Sequence, residues 1–195
     1  MKRLVTPVVL FFCCAGLAHA APRGLILDQS QIEFTVKEMG VPVMGKFKRF
    51  DAVLDIDPAK PEKSHAAIRI DMGSLTTGND EADVIAVGTD WLDKARAPLA
   101  TFQSSSMSAL GAGRFEAKGS LSIKNVARPI TLQFFSAELV NGKSMITSEF
   151  NINRSDFGIG GGIWNQGGVV AEIILIKVKL LLSPAVASLR TVVPQ

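Results

Sequence analysis

Tyrosine is absent from the 195 residues, and cysteine, histidine and tryptophan occur only twice each. Both cysteines, Cys13 and Cys14, and one histidine, His19, fall within the first twenty residues. Those twenty read as a secretory leader. Lys2 and Arg3 precede an almost wholly apolar stretch at 8–17, and Ala18-His19-Ala20 is an A-x-A cleavage site. Cleavage is expected after Ala20, because a cut after Ala21 would set Pro22 beside the scissile bond. The apolar stretch falls short of the roughly 20 residues that a membrane helix needs. The mature protein is therefore expected to be exported and periplasmic, with no disulfide and His65 as its sole imidazole. That composition excludes a thiol nucleophile and a His-rich metal site.

Charge of one sign is scarce too. Loss of Lys2 and Arg3 takes the 21 basic residues down by two against 18 acidic ones, close to neutrality. No block of Lys or Arg is present to bind nucleic acid. A secreted domain without disulfides must be held by its apolar core.

What the chain does have is alternation. Residues 30–37 set Ile32, Phe34 and Val36 against Gln31, Glu33, Thr35 and Lys37, the period of a half-buried strand. After a break at Gly40-Val41-Pro42, a second strand is expected at 45–57. Phe47 and Phe50 differ in parity there, which predicts a bulge near Lys48-Arg49. Further strands are expected at 66–71, 100–106, 114–123, 130–139, 144–153 and 169–182, with Asn141-Gly142 the strongest hairpin signal. Asn79 and the acids Asp80, Glu81 and Asp83 predict a short helix at 80–86, with another helical turn around Trp91-Leu92-Asp93. Residues 183–195 lack a pattern and read as a disordered tail. The prediction is one all-β domain at 21–182, an eight-stranded antiparallel up-and-down barrel with a short helical insertion.

The expected inner face is apolar. Ile32, Phe34 and Val36 are joined by Phe47, Leu54, Ile56, Ile68 and Ile70. The later strands add Phe102, Phe115, Leu121, Ile123, Leu132, Phe134, Phe150, Ile152, Ile174 and Ile176. Two readings of this face stand side by side. These side chains either fill a packed core or surround a long apolar ligand, which eight strands leave room for.

Arg154 follows on the same parity at a strand end. It is a candidate for a polar head group, or a turn-fixing partner of Asp156 or another acid. Trp91 and Trp164 are candidate mouth residues or parts of a packed cluster. His65 reads as a solvated surface residue, and the helix-start acids need no bound cation. Gly160-Gly161-Gly162 lacks the ending of a phosphate loop, yet would let a loop flex over a mouth. No Ser/His/Asp set and no inward carboxylate pair argue for catalysis, so a lipid hydrolase or isomerase ranks last.

Several stretches occur together in one order: Ser30-Gln31-Ile32-Glu33-Phe34-Thr35-Val36, Val43-Met44-Gly45-Lys46-Phe47, Ile70-Asp71-Met72-Gly73-Ser74-Leu75-Thr76-Thr77-Gly78, Asp90-Trp91-Leu92-Asp93, Pro98 to Ser104, and Arg154-Ser155-Asp156-Phe157-Gly158-Ile159. In this the chain resembles the YceI-like family of periplasmic lipid- or polyisoprenoid-binding, lipocalin-like barrels. The resemblance implies an elongated barrel around one isoprenoid chain, such as a polyprenyl phosphate or a quinone tail, and no other cofactor. It also implies a homodimer and a membrane cytochrome partner of the b561 type. Were the barrel packed solid, interaction with such a redox complex would be its function instead. Lys37-Glu38-Met39 replaces a histidine common in the family after the first strand, and Glu81-Ala82-Asp83 replaces a basic residue before the aspartate. The head group is therefore not carried over from the resemblance.

Overall fold

A computed structural model describes residues 23–165 and 168–184. The expected leader and residues 185–195 of the expected tail lie outside the described residues. Among the described residues no helix is long and apolar enough to cross a membrane. Ten strands form one antiparallel sheet: β1 (Gln31–Glu38), β2 (Val41–Phe47), β3 (Phe50–Asp55), β4 (His65–Asp71), β5 (Leu75–Thr76), β6 (Leu99–Gly111), β7 (Arg114–Ile123), β8 (Val126–Glu138), β9 (Ser144–Asn153) and β10 (Val170–Leu182). Helix α1 (Asp80–Ala86) starts where the sequence predicts, with the Asn79 side chain accepting from the amides of Glu81 and Ala82. The sheet runs β3-β4-β6-β7-β8-β9-β10-β1-β2-β5 and curls around a common apolar interior.

The count corrects the expectation of eight. The stretch expected as one bulged strand breaks outright at Lys48-Arg49 into β2 and β3, which lie at opposite ends of the sheet order. β5 is the second addition, pairing Thr76 with Lys46 and Leu75 with Phe47. The break lets the two ends of the sheet meet. Lys48 N donates to Ser74 O at 3.0 Å, and Asp71 N donates to Arg49 O at 3.0 Å. Where β2 crosses β1, Gly45 allows close approach, since a Cβ there would lie 2.3 Å from Phe34 Cζ.

Hairpins set the register. Met39-Gly40, Ala112-Gly113 and Lys124-Asn125 all take positive φ at both residues, as tight two-residue turns demand. The first turn therefore lies at Met39-Gly40, and Val41-Pro42 opens β2 instead of forming the expected break. Asn141-Gly142 sits in a wider loop closed by the Glu138–Ser144 pair.

β8 begins at Val126, before the expected Ile130, and runs through Pro129. A proline is tolerated there because this half of β8 pairs only with β7. The ladder to β9 covers Phe134 to Glu138 alone. Beyond it a seam opens between β8 and the second half of β9.

Candidate functional site

The interior of the curled sheet is hollow in part. A cavity of about 280 Å3 lies along it, walled almost entirely by aliphatic and aromatic side chains. All the residues expected to face inward line it except Phe115. Phe115 is buried and stacks on the lining residue Phe134, with centroids 5.3 Å apart. The wall also takes in Ile146 and Val178, on the same parities as their strand neighbours, and Val43, Met72 and Met107, which sequence parity alone did not single out.

One end is shut. Short bridges set Arg23 against Leu54 and Leu25 against Leu182, and Leu180 and Leu182 are almost wholly buried there. Arg23 is anchored by Ser144 Oγ, by Gly142 O at 3.2 Å and by Glu138 at 3.4 Å. At the opposite end, α1 contributes Ala82, Ile85 and Ala86 to the wall, with Thr77, Trp91 and Trp164 beside them. The two indoles meet edge-on, their centroids 5.6 Å apart. The stretch around Trp91-Leu92-Asp93 forms successive turns rather than the expected helical turn. Trp91 N and Asp93 N both donate to Gly88 O.

Arg154 is not among the lining residues. β9 ends at Asn153, and Arg154 opens a 3-10 turn (Arg154–Phe157), so strand parity stops predicting where it points. Its guanidinium is buried and spent on carbonyls: Nη1 donates to Ile159 O and Gly160 O at 3.0 Å, and Nη2 reaches Trp164 O and Val170 O at 3.4 and 3.5 Å. Its acidic neighbour is Glu172, 3.7 Å from Nε, and not Asp156. The Ser155 hydroxyl, the Ser155 amide and the Arg154 charge hold the Glu172 carboxyl below its ordinary value. The glycine loop is pinned as well, because Gly160 N and Gly161 N both donate to Asp90 O at 2.8 Å. Those bonds tie it to the turn before Trp91.

Polar groups in the wall are few: Glu38, Thr77, Thr101 and Ser148. Thr77 directs its amide and hydroxyl to Asp83 Oδ1 at 2.6 and 2.7 Å, and Ser148 Oγ donates to Gln133 O at 2.7 Å. Asp83 is thereby occupied within the fold, and among the described residues no acidic or His cluster could hold a metal. His65 is exposed on the outside, 3.5 Å from Ser104 Oγ.

The model of the YceI-like domain matches residues 25–182. The chain belongs to the YceI-like family. A UPF0312 protein of Pseudomonas savastanoi pv. phaseolicola is 30% identical over 171 residues, covering 83% of this chain and 89% of that protein. The crystal structure of BcnA from Burkholderia cenocepacia superposes with a TM-score of 0.78 at 32% identity, over 80% of this chain and 98% of that one. A polyisoprenoid binding domain from Saccharophagus degradans shares the fold, with a TM-score of 0.67 at 17% identity over 86% and 99% of the two chains.

Proposed function

We propose that this YceI-like chain is a periplasmic carrier that holds one long apolar tail, an isoprenoid above all, inside a lipocalin-like barrel. The observation that carries the reading is the hollow itself. Protein interiors pack like organic crystals, with few voids larger than a water molecule, and about 280 Å3 lies near the low end of small-molecule sites. That size argues against the alternative of a fully packed barrel acting only through protein contacts. The wall sets the ligand class, because burial of a hydrocarbon tail yields about 0.8 kcal/mol per CH2 group. The polyisoprenoid binding described for the Saccharophagus domain supports the same class.

Binding, not turnover, is the reading, since the wall offers a single ionisable group and no pair of catalytic carboxylates. Export rests on the leader at 1–20. A homodimer and a b561-type membrane cytochrome as recipient extend the proposal on the family resemblance alone.

Native mass spectrometry of the mature protein from its own host tests it. The expected result is a fixed mass excess that is lost on denaturation and fragments as a prenyl chain. A clean apo mass that also fails to shift with added long-chain prenols would overturn the carrier reading.

A further inference from the structure

The inward stripe of β1 does not end with its apolar residues. Ile32, Phe34 and Val36 are followed at the same parity by Glu38, the only ionisable side chain among the described residues that line the cavity. Glu38 lies at the open, helix-bearing end, in register with Val41 of β2 and Val170 of β10. Its carboxylate has no hydrogen-bond or ion-pair partner among the described residues. Trp91 lines the same end, and its Nε1 is buried without a hydrogen-bond partner. The two are linked through the wall. Trp91 packs on Trp164, and Arg154 reaches the carbonyls of both Trp164 and Val170.

A carboxylate at the rim repels an anionic head group, and because Glu38 is exposed to water that repulsion is modest and depends on salt. A buried donor left unpaired is costly, so the Trp91 indole N–H favours a ligand that brings an acceptor oxygen. We infer that the tail carried here ends in an uncharged oxygen head group, and that Glu38 discriminates against a phosphate. The inference rests on the carrier reading and narrows it. Glu38 and Trp91 act on the head group, while the aliphatic wall holds the tail.

The test uses two probes with one tail, farnesol and farnesyl phosphate, titrated calorimetrically into the wild type, Glu38→Gln, Glu38→Lys and Trp91→Phe. Glu38 is exposed, so its variants keep the apolar core, and circular dichroism checks this. Wild type is expected to prefer farnesol about tenfold at low salt, a factor worth about 1.4 kcal/mol. Physiological salt should narrow the ratio through screening. A dry wall alone would also disfavour phosphate, so the decisive readout is the variant series. Glu38→Gln should reduce the ratio, Glu38→Lys should invert it, and Trp91→Phe should weaken farnesol about threefold. A wild type that binds the phosphate as tightly as the alcohol overturns the inference, as does a ratio that Glu38→Lys leaves unchanged. Both outcomes leave the carrier reading standing. Failure of both probes to bind any of the four proteins overturns this inference, and the carrier reading falls with it only if long-chain prenols fail as well.

Discussion

Trp91 and Trp164 meet edge-to-face at 5.6 Å on the rim of the cavity, and they are the only two tryptophans in a chain with no tyrosine. Intrinsic emission therefore reports from this rim alone. Filling the cavity with a prenol should replace any water beside the indoles with hydrocarbon, giving a blue shift and a change in intensity at saturation. Trp91→Phe and Trp164→Phe should each retain part of the shift. An unchanged spectrum on protein that mass spectrometry shows to be loaded would place the ligand elsewhere.

Arg154 behaves as an internal brace, with two bonds of 3.0 Å to the carbonyls of Ile159 and Gly160. Arg154→Ala should cost about 3 kcal/mol, because several buried carbonyls lose their donor and Glu172 loses its cation. Arg154→Lys keeps the charge but not the planar fork, so it should recover less than half of that loss. Denaturant midpoints with unchanged slopes check both values. Should Arg154→Lys instead be fully stable and lose ligand affinity, a head-group role for Arg154 would return.

Periodicity makes most of the interior legible, because an apolar residue at every second position can face one way only. The same logic reaches its limit at three places. Phe115 shares the parity of Ala117 and Leu121, yet alternation says nothing of which inward side chains border a hollow, and Phe115 packs on Phe134 without lining it. Arg154 follows the parity of Phe150 and Ile152, but the strand ends one residue before it. Glu38 is the opposite case: a charge closing an apolar stripe reads as the strand's end, and β1 does end there, yet the residue still lines the cavity at its rim. β5 was hidden for a simpler reason, since two residues carry no period. The mouth is legible as residue types, through its two tryptophans and the acids of α1, and its geometry depends on tertiary hydrogen bonds such as those to Asp90 O.

Asp83 ties helix α1 to the segment before it. The Thr77 amide and then the Thr77 hydroxyl hold its carboxyl below the ordinary value, against a smaller opposing effect of burial. A depressed carboxyl stabilises the fold at pH values above its unfolded pKa, and that contribution fades as pH falls through the lower folded value. Asp83→Asn should therefore cost about 1 kcal/mol at neutral pH, a figure kept small by solvent screening. The gap between variant and wild type should close in acid, below the usual carboxylate range. Urea titrations at neutral and acid pH measure the gap, and a constant difference at both would assign the loss to packing.

The seam between β8 and β9 yields the last prediction. Gln133 O accepts from Ser148 Oγ, so the backbone of Gln133 faces β9, and by alternation Thr131 and Pro129 face it too. Pro129 has no amide to offer, and the ladder stops at the Phe134–Ser148 pair. On β9, Thr147 pairs with Phe135, so Asn151 faces the same gap, beyond the last rung at Glu149. The amides of Thr131 and Asn151 then lack ladder partners, although Leu132 and Phe150 beside them line the cavity. Hydrogen exchange should find those two amides at least about a hundredfold faster than amides of residues 115–122 on β7, which is paired on both flanks. Protection of Thr131 equal to that of β7 would mean that the ladder closes past Ser148 in solution, leaving the cavity walled along its whole side.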